Sequence, residues 1–417
     1  MLAVGLVSFC PAFAQAGGET LPTNANGETL PTDASESKSE TPEPDDIGTG
    51  IFSRLPFRVS ASVRGGYDDN VFTTHSDRES SSFANAGVSV TYEFGSPRTK
   101  LSLGAGGGVT YYPDRPGDST DTNVFLSFSL THKATSRLTL AAIVYASYQS
   151  EPDFSFALGL NRRNGHFFYT QDKFTATYLW APRFATATSY TLGAIRYDNS
   201  SVAFFEDRFE HTFGNEFRFL LWPTTALVGE YRYEIVSYDG INRDSDSHFA
   251  LAGLDQTFNP RLNASVRGGV EFREYRDRTA GEDRSSPYFE ATVNYSLGKS
   301  TSITWTNRYS IEESDVLLNP GRDTFRTGVR AKHNFTSRIS ASVDAFFQHD
   351  DYHDLTKPVF IAAGFTEESV DVAVSLRYAV TRIFGIEAGY NHTEVISDIA
   401  FREYSRNRFF AGLNLAF

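Results

Sequence analysis

The chain ends in Arg408-Phe-Phe-Ala-Gly-Leu-Asn-Leu-Ala-Phe417. Read at period two, Phe409, Ala411, Leu413, Leu415 and Phe417 share one face, and Arg408, Phe410, Gly412, Asn414 and Ala416 share the other. That alternation predicts a strand with one apolar face and one of polar and small residues. Alone, such a strand would also suit the edge of a soluble sandwich. The residues upstream decide the matter, because they repeat it.

Working outward, the first repeat sets Phe57, Val59, Ala61 and Val63 against Arg58, Ser60, Ser62 and Arg64. A second carries Ala86, Val88, Val90, Tyr92 and Phe94 and turns at Gly95-Ser-Pro-Arg98. A third sets Leu101, Leu103, Ala105, Val109 and Tyr111 against Ser102, Gly104, Gly106 and Gly108. Further pairs turn at Lys133-Ala-Thr-Ser136, Trp180-Ala-Pro182, Leu221-Trp-Pro223, Asn259-Pro260, Leu297-Gly-Lys-Ser300, Phe335-Thr-Ser337 and Val380-Thr-Arg382. Between these short turns lie longer connections: His75–Ser82, Pro113–Asp121, Ser150–Gly165, Asn199–Asp207, Asp239–Ser247, Arg276–Ser286, Glu313–Arg322, Asp350–Glu367 and Ile396–Ser405.

Short turns alternating with long loops are the two ends of a membrane-spanning barrel. A sandwich or propeller has no reason to sort them. Nine long loops and eight short turns predict an all-β fold, a transmembrane antiparallel up-and-down β-barrel of about 18 strands, with 16 as the alternative if one hairpin is miscounted. Both mature termini would lie in the periplasm and the Asp350–Glu367 loop outside the cell. Aromatic residues sit near strand ends: Tyr92, Phe94, Tyr178, Trp180, Phe219 and Trp222 by the short turns, and Tyr111, Tyr148, Tyr233, Tyr309 and Tyr352 by the long loops. Two such belts suit rings placed at the two membrane–water boundaries.

Composition agrees. In 417 residues there are 36 Phe and 21 Tyr, yet the mean hydropathy is below zero. Beyond the leader no apolar run approaches the roughly 18 residues of a spanning helix. A net charge of -13 and the lack of a basic cluster argue against nucleic acid as a partner. The one Cys, Cys10, excludes a disulfide framework. Residues 1–16 read as an export leader without a basic start: an apolar Leu2–Phe13, then Ala14-Gln15-Ala16 as cleavage site. Residues 17–54 carry a nine-residue duplication beginning at Gly18 and Gly27, then an acidic, Pro-rich run. Such sequence buries too little apolar surface to offset chain entropy and predicts a disordered periplasmic linker. Residues 55–417 form the barrel.

The terminal strand ending in Phe resembles the assembly signal of Gram-negative outer-membrane β-barrels. That resemblance implies an outer-membrane location, contact with lipid and lipopolysaccharide, and recognition of Phe409, Leu413, Leu415 and Phe417 by the barrel-assembly machinery. More closely, the chain resembles the β-barrel porin family of alphaproteobacteria from about Leu55 to Phe417. The carriers are Gly66-Tyr-Asp-Asp-Asn-Val-Phe72, Asn259-Pro-Arg-Leu262, Phe384-Gly-Ile-Glu-Ala-Gly-Tyr-Asn-His392 and the terminal Phe. Some relatives are associated with exopolysaccharide export, which adds polysaccharide as a substrate class and a periplasmic export partner with it.

If the apolar faces meet lipid, the other faces line the lumen. In the early strands that lining is small and neutral: Ser60, Ser62, Ser89, Ser102, Gly104, Gly106, Ser127 and Ser129. From the eighth strand it becomes charged, with Glu216, Arg218, Glu230, Arg232, Glu234, Arg267, Glu271, Arg308, Arg326, Arg330, Asp344, Arg377 and Glu387 as pore-lining candidates. A mixed-sign wall sets ion preference in an open channel; equally, these charges can pair across strands and stabilise the wall. No catalytic elbow, phosphate loop or zinc-protease motif is present, so no enzyme, cofactor or metal is expected. The dense run His349-Asp-Asp-Tyr-His-Asp354 reads as a solvated acidic loop. Three functions follow: a water-filled channel for passive transport of small polar solutes or ions, an exopolysaccharide conduit, or a structural barrel with a plugged lumen. Roughly 16–18 strands leave an aqueous channel, which favours the first.

Overall fold

The computed structural model describes residues 57–150, 165–277, 281–316, 319–353 and 364–417. The leader and the linker lie outside them. Eighteen antiparallel strands follow in chain order. They are β1 (Phe57–Asp68), β2 (Ser81–Gly95), β3 (Thr99–Tyr111), β4 (Thr120–Lys133), β5 (Leu138–Gln149), β6 (Phe167–Ala181), β7 (Phe184–Tyr197), β8 (Arg208–Trp222) and β9 (Thr225–Tyr238). The second half runs β10 (Ser245–Asn259), β11 (Leu262–Tyr275), β12 (Arg284–Leu297), β13 (Thr301–Glu312), β14 (Arg322–Asn334), β15 (Ile339–Tyr352), β16 (Thr366–Ala379), β17 (Phe384–Ser397) and β18 (Tyr404–Ala416). Among the described residues one helix, α1 (Ser200–Glu206), and a short 3-10 turn (Ala400–Arg402) decorate the long-loop end.

Each strand pairs with its chain neighbours, and β1 pairs with β18 from Ser60↔Ala416 to Asp68↔Arg408. Two further bonds extend the seam: Phe417 N donates to Val59 O (2.8 Å) and Val59 N to Phe417 O (3.1 Å). Closure removes every sheet edge, which a lipid environment demands of backbone polar groups. The strand count and all eight short turns match the expectation from sequence.

Local chemistry builds those turns. Thr135 Oγ1 accepts from Arg137 N and Leu138 N, Thr336 Oγ1 from Arg338 N and Ile339 N, and Thr381 Oγ1 from Ile383 N and Phe384 N. The hydroxyl thus satisfies the donors that a reversal leaves open. Gly298 has φ +66, a left-handed turn position natural to glycine. Three other turns contain Pro182, Pro223 and Pro260, and the register slips by one residue beside each.

The alternation divides the two faces as expected. Val63, Val88, Phe174, Phe217, Val266 and Leu413 are exposed on the outer face, while Arg64, Ser89, Glu216, Arg267 and Asn414 are buried inside. Trp180 and Trp222, the most outlying aromatics near the short turns, are also exposed. Tyr352 departs from the aromatic belt. It shares parity with Asp344 and Asp350, so it points inward, is buried, and stacks on Phe365 with ring centroids 4.2 Å apart. Position near a loop suggests the belt; parity places it in the lumen.

Candidate functional site: the barrel interior

All thirteen candidate wall residues fall on strands at inward parity, and most are engaged there. Arg218 sits 3.0 Å from both Glu216 on its own strand and Asp255 on β10. Arg232 is held by Glu230 (2.5 Å), by Glu290 on β12 (2.8 Å) and by the Tyr288 hydroxyl (2.9 Å). Arg267 donates to Asp255 at 2.8 Å, and Arg273 binds Glu271 (3.2 Å) and Glu313 (2.7 Å). Glu234 accepts from the Thr212 hydroxyl at 3.0 Å and lies 3.9 Å from Arg273. Further round, Arg330 meets Asp344 at 2.5 Å, Arg308 pairs with Glu312, and Arg326 donates to Gln348 Oε1. Glu387 is taken by Arg64 (3.3 Å) beyond the seam rather than by Arg377, its register neighbour. Arg308 and Arg326 stand directly opposite each other across β13–β14. Like charges so placed repel.

Pairing within the wall therefore holds, and it is dense because an interior carboxylate or guanidinium needs a partner to offset its desolvation. The early strands are less neutral than expected. Arg64, Asp68 and Asp121 also point inward, with Asp68 bound by Arg406 (2.5 Å) and Arg408 (3.2 Å), and Asp121 by Arg115 (3.0 Å). A second feature escaped the sequence reading altogether. Tyr145, Phe167, Tyr169 and Ile195, backed by Phe125 and Tyr197, form an aromatic cluster on the inner face of β4–β7. Their parity was legible, but alternating aromatics on both faces of β6 hide which face is which.

Between the aromatic wall and the charged wall lies a cavity of about 160 Å³ that opens to solvent. Tyr169, Lys173, Arg232, Tyr288 and Arg308 are among its lining side chains. Lys173, on β6, has no hydrogen bond or ion pair among the described residues.

The long-loop end narrows this space. Of the two longest loops, 151–164 and 354–363 lie outside the described residues. The loop after β13 folds inward instead: Ser314, Val316 and Asn319 are buried. Arg243, in the β9–β10 connection, donates to Ser314 O (2.8 Å) and lies 3.8 Å from Glu206 and 3.9 Å from Glu313. On the other side Asp315 is bound by Arg402 (2.9 Å) and by Arg322 (3.5 Å). Burial opposes its charge, but Arg402 and Arg322 win and hold its pKa well below the usual carboxylate range. Glu206 at the end of α1 has weaker, longer contacts. Burial raises its pKa to about 7 despite Arg243 and Arg208.

That raised value has a pH consequence. Folding keeps Glu206 protonated where the open chain would ionise, so its contribution is fully present below the ordinary carboxylate pKa and lost as pH rises through about 7. Between pH 5 and pH 8 the clasp around Arg243, Arg208, Glu313 and Asp315 is expected to loosen. Protection of the Val316 amide, which donates to Ser314 Oγ at 3.1 Å, taken relative to the intrinsic exchange rate at each pH, should fall across that range, and Glu206→Gln should flatten the dependence.

A closed, lipid-faced 18-strand barrel with a charged, partly open interior defines an outer-membrane β-barrel of the channel class. The sequence matches the family model described as "Putative beta-barrel porin 2" over residues 55–417, and the chain belongs to that family. It is an outer-membrane protein. Among solved structures it is similar to Pseudomonas aeruginosa OpdK with vanillate: 11% identity, 87% of this chain, 99% of that chain, TM-score 0.44. Acinetobacter baumannii OccAB4 matches at 10% identity, with 87% and 99% covered and a TM-score of 0.41. The siderophore receptor PirA of Acinetobacter baumannii matches at 8%, with 87% and 81% covered and a TM-score of 0.41. No curated protein matches the sequence.

Proposed function

We propose that this barrel is a passive channel for small polar solutes and ions, with its long-loop end outside the cell and its selectivity set by the charged inner wall. The observation that carries this reading is the unfilled space between the two walls. Interior charges engage partners along the wall and leave that space open, so a solute meets fixed dipoles and charges without a dry plug to displace. The aromatic cluster belongs to the long-loop half; toward the short turns the same face carries Ser127 and Ser129. A sugar-polymer conduit would need stacking surfaces through its full length, which favours small solutes. In the same reading the terminal strand serves assembly. Phe409, Leu413 and Phe417 are exposed on its outer face, where recognition machinery can reach them.

Purified barrel in a planar bilayer should give ohmic conductance, and liposomes carrying it should swell in neutral sugars. Replacing Arg308 and Arg326 together by Gln removes a cross-strand pair of like charge, and should raise cation over anion permeability roughly twofold. A barrel that inserts but passes neither ions nor sugars would sink the channel reading. An unmoved reversal potential in the double variant would leave a channel whose wall charges are structural.

A further inference from the structure

The outer face is not uniformly apolar. At mid-strand β1, β2 and β16 present Val63, Val88 and Val374 to lipid. β6 presents Asp172 instead, at the same parity as the exposed Phe168 and Phe174. Its carboxylate accepts from the Thr170 hydroxyl at 3.0 Å and from the Tyr145 backbone, and meets no cation among the described residues. On either side its register neighbours are apolar, Val144 on β5 and Leu192 on β7. Acyl chains supply no donor at that depth, so a carboxylate facing them is disfavoured in either protonation state.

The polar groups continue round the wall. On β7 and β8 the outward Tyr190 hydroxyl meets His211 Nδ1 at 2.9 Å, and the Thr188 hydroxyl donates to Asn215 at 3.1 Å. His211 Nε2 has no partner among the described residues. Asp172, Leu192 and His211 lie in one register row. Two strand spacings put Asp172 and His211 about 9–10 Å apart, too far to pair within one chain. Yet acid and imidazole are chemical complements.

We propose that the outward face of β6–β8 is an interface with a second copy of this chain, in which the Asp172 carboxylate accepts a hydrogen bond from the partner's His211. A copy of the same surface carries both the acceptor and the donor that lipid lacks. Thr188 and Asn215 provide further polar groups beside it. Burying this face against a copy removes the acid from lipid without altering the lumen. The inference is independent of what passes through the channel.

Two measurements test it. In mild detergent the wild type should run as a multimer, and Asp172→Leu should associate roughly a hundredfold more weakly, the effect of losing two symmetry-related desolvated hydrogen bonds. In intact outer membranes, with Cys10→Ser as background, Leu192→Cys should form disulfide-linked dimers and Val88→Cys on the apolar face should not. The second arm decides should the first variant fail to insert. A monomeric wild type, or equal cross-linking at positions 192 and 88, would overturn the interface.

Discussion

Arg243→Ala is expected to raise single-channel conductance at least about twofold while the barrel still assembles, because what it removes is the tie across the mouth and no part of the sheet. Arg243 lies between α1 and the inward loop. Its guanidinium donates to Ser314 O at 2.8 Å, stacks 4.7 Å from the Tyr238 ring centroid, and lies near Glu206 and Glu313. Without it, two buried carboxylates lose a cation. Glu313 keeps Arg273, but Glu206 keeps only Arg208 at 3.7 Å. The lost donor leaves the buried Ser314 O unpaired, which costs about 1–3 kcal/mol, against a loop tied by a few hydrogen bonds. The loop should therefore leave the lumen, where water can solvate Ser314 O. Single-channel recording gives the conductance, and far-ultraviolet dichroism reports whether the strands are kept. Unchanged conductance with intact strands would mean that the mouth is not the narrow section.

How far the sequence reached can be judged from particular residues. Alternation and turn spacing were enough for eighteen strands, because a strand of tilted-span length has one lipid face and the turns between strands use recognisable chemistry. Thr135, Thr336 and Thr381 hold three turns with the same hydroxyl contacts, a local signal. Inward parity for Glu230, Arg232 and Arg267 was legible for the same reason. What stayed hidden depends on curvature and on loops. The pairing of Arg232 with Glu290, three strands away, follows from side-chain reach over a curved wall, which no linear pattern encodes. The inward fold of the loop after β13 depends on Arg243 and Arg402 arriving from two other connections. Tyr352 lies near a loop but takes its orientation from parity, and so packs inward on Phe365. Asp172 leaves little trace in the pattern, since a single acid at outward parity among aromatic neighbours hardly disturbs the period.

The charged wall offers the larger stability effect. Arg232 joins Glu230 and Glu290 through contacts of 2.5 and 2.8 Å and donates to the Tyr288 hydroxyl, which in turn donates to Glu290 at 2.6 Å. Arg232→Met keeps most of the volume and deletes the charge, taking the shared cation from two mostly buried carboxylates. That is expected to cost about 3 kcal/mol, the low end for a broken buried pair, because Arg267, 3.9 Å from Glu230, is still there as a more distant cation. The heat-modifiable electrophoretic transition should fall well below that of the wild type. The triple variant Arg232→Met, Glu230→Gln, Glu290→Gln removes the charges together with their partner, and should recover most of the loss, since a whole ionic cluster replaced by neutral groups is close to neutral in energy. Recovery would assign the wall charges a collective role, in which each residue is needed because the others are present. If the single variant melts like the wild type, the carboxylates are already hydrated without Arg232. The cluster would then lie in open water, and its charge would act on permeating ions instead of on the fold.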